Sequence, residues 1–180
     1  MAIEGQLTEA EANKLMELAQ KAPKGSAIVE IGTFRGRSTI ALAFGAIKGN
    51  GNTVYAVDPH TAFVGVYGGK FGPEDQAALY ENLTKCGVGQ IVSVVSLPSV
   101  QAARAWPTRN VGLLWIDGDH TATAVRADLE SWYPHLIDGA AVAFHDSHGQ
   151  GVKSTIDSAR KSKRLSVGGE IGTLTWLSKP

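Results

Sequence analysis

The sequence predicts an α/β fold: a doubly wound, mostly parallel sheet with helices on both faces. Three observations predict it. Short apolar runs of strand length alternate with segments whose apolar residues recur at helical spacing. Glycine or polar residues stand directly after several of these runs, where a strand hands over to a helix. The chain closes on LSVGGEIGTLTWLS, which reads as two strands around Gly168-Gly169 and adds an antiparallel hairpin.

The elements follow in order. Thr8 and Glu11 have capping-box spacing, and Ala12, Leu15, Met16 and Ala19 continue at helical period, so residues 8–21 form a helix. AIVEI (27–31) is a buried first strand, and Gly32 to Gly36 a tight loop. The next helix starts at Ser38, with Ile40, Phe44 and Ile47 on one face. TVYAV (53–57) is the second strand and ends at Asp58-Pro59. Residues 60–72 are rich in glycine and aromatics without periodicity, as a long functional loop would be. Pro73 opens a helix with Glu74 and Asp75 in its first turn. Leu79, Leu83 and Cys86 are its buried face and Gly87 its cap. IVSVV (91–95) is the third strand, 99–105 a short helix, and VGLLWI (111–116) the fourth strand. Thr121 to Leu136 is a helix, Asp138-Gly139 a turn, AAVAF (140–144) the fifth strand, and Val152, Ile156 and Ala159 mark a last helix.

Composition narrows the function classes. A chain of 180 residues without an internal linker or repeat is one domain, residues 1–180. With 43% hydrophobic residues it can build a core, and no apolar run is long enough to span a bilayer. Seventeen basic and 17 acidic residues cancel, which argues against broad capture of nucleic acid or membrane. A single cysteine excludes an intrachain disulfide and any cysteine-cluster metal site. The acidic start MAIEGQLTEAEANK lacks the pattern of a signal peptide, so a cytoplasmic protein is expected. Between Gly151 and Arg164, five basic residues face Asp157 alone. This stretch suits either a helix C-terminus or attraction of an anion.

In such sheets ligands bind beyond the carboxyl ends of the strands, at the point where strand order reverses. The residues directly after the strands are therefore the candidates. After the first strand comes Glu30-Ile31-Gly32-Thr33-Phe34-Arg35-Gly36-Arg37-Ser38. Its glycines allow a tight turn or the close approach of a ligand, and the next helix aims its N–H groups into the same space. Asp58, after the second strand, can accept both hydroxyls of a ribose or serve as a turn residue. Asp117-Gly118-Asp119-His120 and His145-Asp146-Ser147-His148 follow the fourth and fifth strands. Carboxylate and imidazole together suit a divalent cation, and a neutral histidine can take a proton from a hydroxyl. All of these could instead cap helices and close turns. His60 belongs to the loop, and His135 to a helix surface.

The segments EIGTFRGRS, YAVDP, LLWIDGDHTATAVRADLESW and GAAVAFHDS, in this order and spacing, resemble class I S-adenosylmethionine-dependent methyltransferases. The nearest group is the small O-methyltransferase family with the macrocin-type sugar O-methyltransferases and cephalosporin-hydroxylase-like proteins. The resemblance covers roughly residues 10–160. It implies a Rossmann-like seven-stranded sheet whose last strand is antiparallel. It implies that Glu30, Gly32, Thr33, Gly36 and Ser38 surround the amino-acid part of S-adenosylmethionine, that Asp58 holds the ribose, and that Ser96 and Leu97 border the adenine. Asp117, which would also border the cofactor, falls with Asp146 at positions of the family's Mg²⁺ ligands. His145, where many relatives carry an acid, would be a further ligand to Mg²⁺ or another divalent metal, and His120 the general base.

The expected reaction is metal-assisted methylation of a hydroxyl on a small molecule such as a sugar, phenol or natural product. The sulfonium is already a good leaving group, so the protein chiefly positions the reactants. Two rival classes are a metal-dependent hydrolase, which the DGDH and HD clusters could serve, and a non-catalytic module that keeps the pocket. The cofactor sheet uses most of the chain. Acceptor specificity then falls to the loop with Phe63, Tyr67 and Phe71, to residues 147–151, or to a homo-oligomer interface.

Overall fold

A computed structural model describes residues 3–180, and every side chain among them except that of Val167. Its elements are α1 (Glu9–Gln20), β1 (Ala27–Ile31), α2 (Arg37–Lys48), β2 (Val54–Val57), β3 (Phe63–Val64), β4 (Lys70–Phe71), α3 (Pro73–Lys85), β5 (Val92–Val95), α4 (Ser99–Ala105), β6 (Val111–Ile116), α5 (Ala122–Trp132), β7 (Leu136–Phe144), α6 (Gln150–Lys161), β8 (Ser166–Ile171) and β9 (Leu174–Ser178). Seven strands form one sheet in the order β5-β2-β1-β6-β7-β9-β8. β5, β2, β1, β6 and β7 run parallel, while β9 pairs antiparallel with both β7 and β8.

Strand alternation sorts side chains into two cores, one on each face. From β1 and β6, Val29, Ile31, Leu114 and Ile116 join Leu129, Trp132 and Ile156 of α5 and α6. Ile28, Leu113 and Trp115 turn the other way, towards Leu15, Leu42 and Leu79 of α1, α2 and α3. Both faces are covered, so β1 and β6 are buried along their whole length. The chain leaves β1 towards β2 on one side and β6 on the other. That reversal opens a crevice at the carboxyl ends of these strands.

The structure corrects four local expectations. On α2, Phe44 and Ile47 are exposed, and the buried face is built from Thr39, Ile40, Leu42, Ala43 and Ala46. The cause is α1, which packs so closely that a Cβ on Gly45 would stand 2.2 Å from the carbonyl oxygen of Met16. Small residues make that crossing and the large ones are left outside. Residues 60–72 contain a small antiparallel ribbon, β3 with β4, pairing Phe63 with Phe71. The terminal hairpin turns at Gly172-Thr173 rather than at Gly168-Gly169, whose missing side chains make room for the Trp176 indole on the neighbouring strand. Asp138-Gly139 lies within β7, in an irregular stretch where three residues of β6, Val111 to Leu113, face six of β7, Leu136 to Ala141. The basic stretch is a helix end: Lys153 pairs with Asp157 and Arg164 with Glu130, and Arg160 and Lys161 stand in the last turn of α6. Among the described residues no helix is long and apolar enough to cross a membrane.

Candidate active site

The sheet places the polar residues by its own hydrogen-bond ladder. Gly32 donates its backbone N–H to Val57, Asp58 to Val95, Asp117 to Ile31 and His145 to Ile116, at 2.8–3.1 Å. Each is the first residue past its strand and is still tied to the neighbouring one. Four connections thus begin at one rim, around a cavity of about 1180 Å³, large enough for a cofactor with a small second ligand.

Gly32 is fixed by two constraints. Its φ is +82°, and a Cβ would stand 2.3 Å from the carbonyl oxygen of Asp117. The β1 turn and the β6 turn therefore touch through backbone alone. Asp58 is held in place: one carboxylate oxygen accepts the Thr33 N–H at 2.9 Å, the other the His60 N–H at 2.8 Å. The first oxygen also takes longer bonds from the Thr33 hydroxyl (3.5 Å) and the Phe34 N–H (3.4 Å), while the second keeps a free lone pair. His60 lies in the loop, as expected, and acts there as a buttress. It is buried, at φ +48°, with Nε2 3.2 Å from the Thr33 hydroxyl.

Gly32, Thr33, Ser38, Asp58, Asp117, His120, His145 and Asp146 all line this one cavity. Four of the anticipated residues stand outside its wall. Glu30 is fully buried beneath it and accepts a hydrogen bond from the Ser38 hydroxyl, while its second oxygen has no partner. Burial pushes the Glu30 carboxyl up to about 8, against the opposing hydrogen bond of Ser38. Gly36, at φ +89°, starts α2 against Leu79. Ser96 points away and accepts from the Gln76 amide at 2.7 Å, and Leu97 is exposed. Pro98, Ser99 and Val100, the next residues along, form the wall instead, where the chain leaving β5 turns into α4.

Asp117, His120 and His145 offer one ligand atom each, all within 4.8 Å of one another. His145 Nδ1 lies 3.0 Å and His120 Nε2 3.4 Å from the same Asp117 oxygen. The expected partner Asp146, at φ +47°, is more peripheral: its oxygen is 3.7 Å from His120 Nε2 and 3.9 Å from His145 Nδ1. Burial alone would push the His145 imidazole down, but the hydrogen bond and charge of Asp117, with Asp146 and Glu11, outweigh it and lift the group to about 9. His120 Nε2 is buried at the cluster without a hydrogen-bond partner, whereas the unpartnered His145 Nε2 faces Glu11 on the other side of its ring and it is Nδ1 that His145 turns to the cluster. Unsatisfied imidazole beside carboxylate is a donor set that fits a divalent cation, with two nitrogens favouring Mn²⁺, Fe²⁺ or Zn²⁺ over Mg²⁺.

Sequence reading missed part of the wall. Glu11 is more than a capping residue. Its carboxylate holds the Thr8 N–H and hydroxyl, reaches the Thr173 N–H at 2.7 Å and hydroxyl at 2.9 Å, and lies 3.9 Å from His145 Nε2. Its acidic capping position was the only signal. Residues 4–8 and the Gly172-Thr173 turn also line the cavity, as does Asp128. The β3–β4 ribbon overhangs it. Phe71 stacks on Phe63 and meets Phe34 edge-on, and the Tyr67 ring stands 5.7 Å from that of His120. Ser147 is turned away and bonded to Thr175.

Comparison with known proteins agrees with this architecture. A family model described as a methyltransferase domain matches residues 29–147, which span every strand-end residue named above. The fold is shared with the cofactor-bound Rv0187 protein from MTB (TM-score 0.76, 19% identity, 97% of this chain and 81% of that one). It is shared also with the O-methyltransferase from Bacillus cereus in complex with SAH (TM-score 0.73, 18% identity, 97% and 83%) and with the SAH-bound methyltransferase PaMTH1 of Podospora anserina (TM-score 0.74, 14% identity, 97% and 80%). With the family match covering well over half its length, the chain belongs to the methyltransferase-domain family.

Proposed function

We propose that this methyltransferase moves the methyl group of S-adenosylmethionine to a hydroxyl oxygen of a small molecule. One observation carries the reading: a nucleoside-type strand end (Gly32, Thr33, Asp58) and a histidine–aspartate cluster share one cavity. Asp58, with its carboxylate fixed by Thr33 and His60, accepts the ribose hydroxyls. Gly32, Thr33 and the start of α2 face the amino-acid end of the donor. Neighbouring structures solved with SAH or cofactor support the same choice.

His120 takes the acceptor's proton at Nε2. The resulting imidazolium faces Asp117 at 3.4 Å and Asp146 at 3.7 Å, which stabilise its charge. Asp117, His145 and Asp146 would hold a divalent cation, and a bound cation would lower the pKa of the acceptor hydroxyl and orient it. The β3–β4 ribbon excludes water above the cluster and contacts the acceptor through Tyr67.

Calorimetric titration with S-adenosylhomocysteine tests the donor. The wild-type protein binds it, and Asp58→Ala binds at least about tenfold more weakly; equal binding by the two rejects the assignment. Binding of Mn²⁺ to His120→Ala separates base from ligand. Unchanged metal affinity with lost turnover keeps His120 as the base, whereas lost affinity moves it into the ligand set.

A further inference from the structure

We propose that Glu11 is a positioning residue for the histidine–aspartate cluster: its charge holds the ring proton of His145 on Nε2 and so presents Nδ1 to a divalent cation. The inference rests on the metal reading above. It draws on α1 and on the β8–β9 turn, which lie on either side of residues 29–147, the part of the chain that the family match covers.

His145 is only 3% exposed, and its ring centroid stands 5.7 Å from that of Trp115. Carboxylates face both of its nitrogens. Nδ1 lies 3.0 Å from Asp117 and 3.9 Å from Asp146. Nε2 lies 3.9 Å from Glu11, with no hydrogen-bond partner among the described residues. Half a turn of the ring would put a carbon where each nitrogen stands, so the opposed carboxylates fix its orientation. A neutral imidazole carries one proton. When Nδ1 is the ligand, that proton sits on Nε2 and meets the Glu11 charge favourably. The reverse arrangement, with Nε2 bare, would aim a lone pair at a carboxylate. Glu11 thus sets the tautomer, as a carboxylate behind a metal-binding histidine does.

The Glu11 carboxylate is built to stay in place and charged. It is buried, and each oxygen accepts two hydrogen bonds. Oε2 takes the Thr8 N–H at 2.8 Å and hydroxyl at 2.7 Å, and Oε1 takes the Thr173 N–H at 2.7 Å and hydroxyl at 2.9 Å. Four donors favour the ionised form. They also spend the lone pairs of Oε2, so Glu11 acts on the ring by charge across 3.9 Å and not by a hydrogen bond. Gly172 makes room for this seat: its φ is +57°, and a Cβ there would stand 2.6 Å from Oε1. Capping α1 needs only the Thr8 contacts. The burial, the hold on Thr173 and the approach to His145 exceed that task. Among the described residues no lysine or arginine pairs with Glu11, which leaves its charge to the imidazole.

Calorimetric titration of Mn²⁺ into the wild-type protein, Glu11→Gln and Thr173→Ala tests the assignment. Glu11→Gln keeps the shape and removes the charge, and should bind Mn²⁺ about tenfold more weakly, the low end of what such supporting groups contribute. Thr173→Ala takes one hydrogen bond from the far oxygen and leaves the charge facing His145, so it should lose stability but keep the wild-type affinity. A second readout is ¹⁵N NMR of the Zn²⁺-loaded wild type, in which His145 should bind through Nδ1 and carry its proton on Nε2. Wild-type affinity in Glu11→Gln, an equal loss in Thr173→Ala, or ligation through Nε2 each overturns the role of Glu11. The NMR assignment needs no variant and stands even if Glu11→Gln fails to fold. A wild type that binds neither Mn²⁺ nor Zn²⁺ removes the metal reading itself, and this inference with it.

Discussion

The two ends of the cavity are built by different means. On the side proposed for the donor, Gly32, Thr33, Asp58 and Asp117 are strand-end residues locked by the sheet ladder, by backbone N–H groups and by direct contact between turns. On the side proposed for the acceptor, the ribbon around Tyr67 has two strands of two residues each, and Phe63, Val64, Val66 and Tyr67 are exposed. The donor side can hardly change without loss of the fold. The acceptor side is free to vary. This division suits a reaction with one constant substrate and one variable one.

The largest effect should come from Gly32→Ala. The added methyl meets the Asp117 carbonyl oxygen at 2.3 Å, and φ is +82°. Neither the backbone contact nor the dihedral can yield cheaply. A loss of about 3–5 kcal/mol is expected, or roughly 10 °C in Tm, together with weaker donor binding. A variant that melts with the wild type would show that the two turns are not mechanically coupled.

Glu30 breaks the comparison differently, through pH. Its carboxyl titrates near 8 in the folded chain against an ordinary value of 4.5. The folded state therefore holds an extra proton between those values. Its contribution is fully present below about pH 4.5 and is lost as pH rises through 8. Glu30→Gln keeps an acceptor for Ser38 and cannot ionise, so Tm should fall less between pH 6 and 9 than in the wild type. Parallel pH–Tm curves would place the proton elsewhere.

Glu11 has the opposite sign. Burial works against its charge, but the hydrogen bonds from Thr8 and Thr173 hold it near 2, below the ordinary 4.5. Its stabilisation is present above about pH 4.5 and is lost as pH falls through 2. Glu11→Gln should cost about 1–3 kcal/mol at pH 7. It should also flatten the acid limb of a Tm scan between pH 5 and 2, and an unchanged acid limb would contradict the assignment.

These residues also mark what could be read from sequence. The strand ends that carry Gly32, Asp58 and Asp117 were legible because their signals are local: a short, mostly apolar run, then a glycine or aspartate, repeated along the chain. Glu11 and Asp128 were not legible as parts of the site. Glu11 meets its partner Thr173 across 162 positions, and within its own helix it looks like an ordinary cap. Asp128 reads as one polar residue on an amphipathic helix until α4 brings Ser99 against it. The face of α2 was misread for a similar reason, since only the packing of α1 decides which side is buried. Ribbon β3–β4 carries no period because its strands are too short to show one.

The smallest effect on stability, and the sharpest on function, is expected at Tyr67. The side chain is 65% exposed and rests over His120 and against Gly149, where a Cβ would stand 2.3 Å from its hydroxyl. Tyr67→Ala removes little buried area, so stability should move by no more than about 0.5 kcal/mol, and donor affinity should stay at the wild-type value. If the ribbon holds the acceptor, its KM should rise several-fold while the donor KM is constant. A rise in both would mean that the ribbon closes over the whole cavity, and the division between a fixed and a variable end would not hold.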